Sequence, residues 1–265
     1  MSHFTVAVFT DGTKTVDELL APFDENISVE PYIYKTKAQI IEDAKEKKER
    51  YLKDLPSNVP NWMKAYIDAE TDEELYQAEF DEDEQYDEEG NELSTYNPNS
   101  KWDWYSIGGR WKGILKAKAG EVGEISLVCP IETQKGRYSS AKVKDIDFTP
   151  DKAKYEKRIR FWEVYVEGSP LRPGENKMDF DGFYKKEWYQ ARYKNKEEYA
   201  ERECAFTTFA VLMPDGTWYE KGQMGWFGCS GESHEEAYDW DKHYKENFID
   251  KADPEWTLTI VDCHI

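Results

Sequence analysis

Phe206–Lys221 reads FTTFAVLMPDGTWYEK, and its interpretation decides the fold. Phe206–Met213 is a strongly hydrophobic strand, Pro214-Asp215-Gly216 turns it, and Thr217–Lys221 returns as a second strand. Downstream, Ser233 and Glu236 have the spacing of a capping box and predict a helix over 234–249. Its inner face is Ala237, Trp240, Tyr244 and Phe248. Thr257–His264 is the last strand. At the other end His3–Thr10 (HFTVAVFT) is rich in β-branched and aromatic residues and predicts a buried strand. Asp11-Gly12 turns the chain, and Thr15 with Glu18 caps a short helix that ends near Pro22. The order strand, helix, hairpin, helix, strand predicts an α+β protein on a ferredoxin-like, split-βαβ antiparallel sheet.

Between the halves of that frame lies a long stretch of mixed character. The expected organisation is a single domain over 1–265, with a core of 1–35 and 204–265 and a mixed α/β insertion of 36–203. Val29–Tyr34 suits an edge strand that tolerates Pro31. Thr36 and Gln39 cap a helix to about Lys53, and Thr71 and Glu74 open another. That helix runs into Asp81–Glu92, and the segment 81–95 reads as an exposed or partly disordered acidic loop. Trp102–Ile107 and Arg110–Lys118 suggest two strands of a hairpin around Gly108-Gly109. Glu124–Val128 and Ala141–Lys144 are short strand candidates. Thr149-Pro150 starts a helix to about Val166, and Lys185–Glu203 is helical with a break near Asn195.

Charge and composition narrow the classes of function. The net charge is −20, yet 14 Asp or Glu and no Lys or Arg lie between Lys64 and Lys101; the rest of the chain holds 41 acids against 35 bases. Direct nucleic-acid binding through a basic face is not expected, because phosphate neutralisation needs an excess of Lys and Arg. The acidic run is ordinarily a solvated surface; the other reading is an inhibitor that fills a basic groove of a host defence protein. Four cysteines without CxxC spacing fit a reduced, cytoplasmic setting. No apolar run approaches the ~18 residues of a membrane span. With 10 Trp and 18 Tyr in a chain of mean hydropathy −0.89, some aromatic rings are expected at wet surfaces.

Three groups of residues could carry chemistry. In Trp102–Gly113 (WDWYSIGGRWKG), Trp102, Trp104, Tyr105 and Trp111 could stack on a planar base. Gly108 and Gly109 let backbone approach a ligand, and Arg110 could clamp a phosphate or carboxylate. The alternative is a Gly-Gly hairpin whose tryptophans alternate into a core. Gly222–Gly231 (GQMGWFGCSG) offers a second patch, with Gly225 and Trp226, directly before a helix. It lacks GxGxxG and GxxxxGK spacing, so no cofactor follows from it. The third group is geometric. If the first and last strands pair antiparallel, His3 lies near Asp262 and His264, which share a face. Two imidazoles and a carboxylate could hold a divalent metal or share a proton. A polar chain end satisfied by water stays open beside it.

Ser2–Phe9 (SHFTVAVF), Leu20–Asn26 (LAPFDEN), Asn97–Trp111 (NPNSKWDWYSIGGRW), Phe206–Gly228 and Leu258–Ile265 together resemble a family of uncharacterised bacteriophage-encoded proteins. The resemblance implies expression in the cytoplasm of an infected bacterium and an accessory, counter-defence role. It implies no mechanism. The leading expectation is a protein that binds and sequesters a small anionic, nucleotide-like ligand; a metal-assisted hydrolase using His3, Asp262 and His264 is the alternative.

Overall fold

In a computed structural model that describes residues 2–56, 58–118, 137–225 and 229–265, the chain is α+β and forms two compact units. One comprises residues 1–24 and 99–265, the other residues 25–98. This differs from a single domain carrying a 36–203 insertion: only 25–98 separates as a unit, and 99–203 belongs with the two chain ends.

The sheet of the larger unit has the order Trp218–Glu220, Ala210–Leu212, His3–Thr10, Thr257–His264, Trp104–Ile107, and Ser140–Lys142 also pairs with Thr257–His264. His3–Thr10 and Thr257–His264 pair antiparallel over their whole length, from His3 opposite His264 to Thr10 opposite Thr257. Val6, Ala7 and Val8 run parallel to Ala210, Val211 and Leu212, which places the other hairpin arm at the sheet edge. A split-βαβ sheet would instead set that second arm beside the first strand. The connection here spans some 200 residues, so the geometry of a short crossover does not select the partner.

The period-two alternation of the two long strands divides the core. Phe4, Val6, Val8, Val261 and Cys263 face one side, with Val16, Leu19 and Leu20 of the helix Val16–Leu20 and with Trp102. Ala7, Phe9, Leu258 and Ile260 face the other, beneath Tyr244, Phe248 and Ile249. That cover is the helix His234–Tyr244 and the π-helical turn Lys245–Ile249, opened by the Ser233–Glu236 capping box. Each Val, Leu, Ile or Phe among these, fully buried, contributes roughly 1.5–3 kcal/mol of transfer free energy. Lys186–Arg192 and Lys196–Cys204 are separate helices, the second capped by Asn195. They enclose Phe161, Trp162, Tyr189 and Tyr199. The helix expected from Thr149-Pro150 begins two residues later, because Asp151 accepts from the Lys154 N–H and is the cap.

Beside this helix, Asp147 bonds Lys116 and Thr149, which hold its carboxyl at about 2, below the ordinary 3.8, with Lys116 the larger cause. The stability it adds is present above pH 3.8 and is lost as pH falls through 2. Asp147→Asn should therefore flatten the loss of stability between pH 4 and 2 in urea titrations, by about 1 kcal/mol once solvent screening is allowed for. An unchanged slope would show that the pair contributes nothing.

In the smaller unit, the helices Lys37–Lys53, Asn61–Ile67 and Asp72–Glu79 pack around Ala44, Ala69 and Leu75. Capping boxes at Thr36 and Thr71 start the first and third. The strand expected at 29–34 forms at Tyr32–Lys35, in a three-stranded sheet with Glu92–Ser94 and Gln85–Tyr86. The acidic stretch is thus not an open loop. Asp87 accepts from the N–H groups of Glu89 and Asn91 and closes the turn, and Phe80 stacks on Tyr86 at 4.5 Å. Its acids stay solvated while its aromatic rings supply the packing. No helix among the described residues is long and apolar enough to cross a membrane.

Candidate functional site

The sheet face that carries Ala7, Phe9, Leu258 and Ile260 turns polar toward the chain ends. The same alternation continues it into His3, Thr5, Asp262 and His264. The strand Trp104–Ile107 joins here, with Trp104 opposite His264 and Ser106 opposite Asp262. Three strands therefore set two imidazoles, a buried carboxylate and an indole on one surface.

His3 and Asp262 form a diagonal cross-strand pair, with Nδ1 2.8 Å from Oδ1. The other carboxylate oxygen of Asp262 accepts the backbone N–H of Arg110 at 2.9 Å. His264 makes a second pair through Nδ1, 2.7 Å from Oδ1 of Asp103. A carboxylate can only accept, so each imidazole donates from Nδ1 and presents Nε2 as its second polar atom. The two imidazole rings lie edge to face with centroids 5.0 Å apart. Trp104 stacks on His264 at 5.0 Å and 17°, and meets His3 edge-on at 5.3 Å. The two outer nitrogens differ. Nε2 of His264 is buried without a partner, whereas Nε2 of His3, also without one among the described residues, is not sealed from solvent. Trp104 is 45% exposed although its ring is held on two sides.

Gly108-Gly109 does not make a β-hairpin. Gly109–Trp111 is a single 3-10 turn, and the chain beyond it enters a separate two-stranded sheet, Leu115–Lys116 with Arg137–Tyr138. The reason is Asp262: with φ of +42°, the α-carbon of Gly109 sits against that side chain, and the turn aims the Arg110 N–H at its carboxylate. Arg110 and Lys112 are exposed on this turn, and neither side chain has an ion-pair partner among the described residues.

The aromatic residues expected to form one cleft are distributed differently. Trp102 is 6% exposed and packs in the core on the opposite face of the sheet, edge to face with Tyr105 at 5.0 Å. Tyr105 turns to the same side and donates its hydroxyl to Asp17. Trp111 packs against the Tyr244 cluster. None of these three offers a ring beside Trp104, because alternation and the turn carry them into two separate cores. Gly225 closes a loop by donating to the Cys229 carbonyl at 2.8 Å. Trp226 and the strand expected at Glu124–Val128 lie outside the described residues.

His3, Asp262 and His264 are brought together, but as two His–carboxylate pairs rather than three groups converging on one point. Among the described residues no group of three or more His, Cys, Asp and Glu side chains is placed to hold a metal ion. Asp103 is the member that sequence reading missed. Nothing marks it without knowing that the strand following it pairs with the last strand.

No family model matches the chain, and no curated protein or solved structure does.

A cavity of about 710 Å³ opens elsewhere on the larger unit, lined by Val143, Ile146, Phe148, Phe206, Ile249 and neighbouring residues. It contains none of the residues at the polar end of the sheet. Most of its charged groups are neutralised: Lys144 pairs with Glu255, Lys245 with Asp250, Asp147 with Lys116 and Asp241 with Arg202, while Lys118 donates to the Lys144 carbonyl. Volume alone favours that cavity as a ligand site. The unpartnered nitrogen, indole face and free cations favour the sheet end, and chemistry is the better guide to where a polar ligand is held.

Proposed function

We propose that this chain binds a small anionic, nucleotide-like ligand at the polar end of its sheet. The observation that carries this reading is the exposed Trp104, buttressed by His264, beside a turn with two cations that have no ion-pair partner among the described residues. A planar base would lie against the indole, and Arg110 would take the phosphate through paired N–H donors. Trp104 and Arg110 are retained from the motif; Trp102, Tyr105 and Trp111 act as scaffold. In the infected bacterium that the sequence resemblance implies, withdrawal of a nucleotide signal from a host defence is the corresponding role.

Calorimetric titration with nucleoside mono-, di- and triphosphates and with cyclic nucleotides tests it. At least one member should bind. Trp104→Ala and Arg110→Ala should each weaken that binding by about tenfold or more, since stacking on one base contributes roughly 1–3 kcal/mol and 1.4 kcal/mol is tenfold. An absence of heat across the panel, or equal affinity in both variants, overturns the reading.

A further inference from the structure

We infer that the site is also hydrolytic: His3, oriented by Asp262, is a general base that activates water against a phosphodiester held at Trp104 and Arg110. The inference rests on the binding reading above and adds a reaction to it.

The hydrogen bonds define the base. Asp262 is 2% exposed and its two oxygens are both engaged, one by His3 and one by the Arg110 N–H. Its carboxylate therefore cannot rotate away, and it holds the His3 ring with Nε2 outward. A histidine whose inner nitrogen donates to a buried carboxylate has its outer nitrogen free to accept a proton, and the carboxylate stabilises the imidazolium that results. Arg110 links the two parts of the site. Its backbone fixes Asp262, and its side chain leaves from the same residue into solvent. A phosphate on that guanidinium is therefore tethered to the residue whose backbone fixes the partner of His3.

His264 is a positioning residue. It is 5% exposed, its inner nitrogen is held by Asp103, and its ring stacks on Trp104 and meets His3 edge to face. Its buried, unpartnered Nε2 is a second polar atom that the fold leaves unsatisfied beside the same ledge. Such atoms are uncommon in folded proteins, and each calls for a reason.

The chemistry favours a diester. Transfer of a terminal phosphoryl group passes through a loose, metaphosphate-like state and draws little from a base at the entering oxygen. A base placed this firmly serves a reaction in which the new P–O bond is well formed at the barrier, as in phosphodiester hydrolysis. In that step a water oxygen bonds to phosphorus while its proton passes to Nε2 of His3. The P–O bond to the leaving alcohol breaks, and the leaving oxygen takes a proton from solvent. His3 then releases its own proton to solvent. One water is consumed, and one phosphomonoester and one alcohol are formed.

The test uses bis(4-nitrophenyl) phosphate and cyclic mononucleotides with the full chain, in buffer with and without EDTA. Turnover is followed by nitrophenolate release and by phosphorus NMR, and binding separately by calorimetry. Wild type should turn over at least one of them. His3→Ala should lower kcat by about 100-fold or more while Kd changes less than threefold, and added imidazole should restore at least tenfold of the loss. Asp262→Asn should lower kcat with little change in KM. Binding without turnover, turnover abolished by EDTA, or a His3→Ala defect that imidazole does not rescue would each overturn the inference while leaving the binding reading in place. No binding by any of these compounds overturns the inference, and no binding across the whole nucleotide panel overturns both.

Discussion

Gly109→Ala should destabilise the larger unit by about 3 kcal/mol and disorganise the polar end of its sheet. Two separate effects add. The backbone φ at Gly109 is +42°, in the left-handed region, where an L side chain costs roughly 1–2 kcal/mol. A β-carbon there would also lie 2.3 Å from Oδ2, 2.4 Å from Cβ and 2.7 Å from Cγ of Asp262. Because the clash involves the root of that side chain, rotating its tip does not relieve it. Asp262 must move, and its bonds to His3 and the Arg110 N–H are then lost or stretched. Hydrogen bonds to a charged group contribute roughly 1.5–3 kcal/mol, and this one is buried. Gly216→Ala is the matched control, with φ of +91° and nothing within 4 Å of the added carbon. It should show the conformational cost alone, about 1–2 kcal/mol. Urea denaturation of both variants separates the contributions. Equal losses would mean that contact with Asp262 contributes nothing, and the account of why glycine stands at 109 would fail.

The pairing of Gly109 with Asp262 also explains what could and could not be read in the sequence. His3–Thr10 and Thr257–His264 have the bounds expected of them, because each is an unbroken run of β-branched and apolar residues with clear punctuation. The capping boxes at Thr15, Thr36, Thr71 and Ser233 all form, since a cap is local chemistry between residues three apart. The Gly108-Gly109 turn was not legible. Two glycines serve a hairpin or a 3-10 turn equally well, and the choice is made by a carboxylate 152 residues away. The tryptophans failed for a related reason. Trp102 and Trp104 have the same parity, but Trp102 lies outside the strand Trp104–Ile107 and drops into the opposite core. Proximity of His3, Asp262 and His264 followed from strand pairing alone. The role of each followed only from which nitrogen meets which carboxylate, and no pattern along the chain encodes Asp103 as the partner of His264.

The apolar half of the same sheet face should be far less tolerant than the polar half, and Tyr244 measures this. Tyr244→Ala should cost about 3–5 kcal/mol, the range for removing a large buried aromatic ring. Tyr244 is 1% exposed, with Phe206, Trp240 and Phe248 against it at centroid distances of 6.0, 5.7 and 5.2 Å. Its ring joins the 234–249 helix to Ala7, Phe9 and Ile260 of the sheet. The hydroxyl has a role of its own. Thr208 donates its single hydroxyl proton to the Ala210 carbonyl at 2.6 Å, so the 2.6 Å contact between Tyr244 and Thr208 has the phenol as donor. Tyr244→Phe removes that donor, keeps the ring and should cost about 1 kcal/mol. Burial pushes the Tyr244 hydroxyl above its ordinary 10.0, so the folded state keeps a proton that the unfolded chain releases. The corresponding stability is complete below pH 10 and declines as pH rises further, and Tyr244→Phe should reduce that alkaline decline. Thermal and urea unfolding of the two variants therefore apportion the clamp between packing and hydrogen bonding. If Phe were as damaging as Ala, the hydroxyl network would be what holds the helix to the sheet, and the ring merely its carrier.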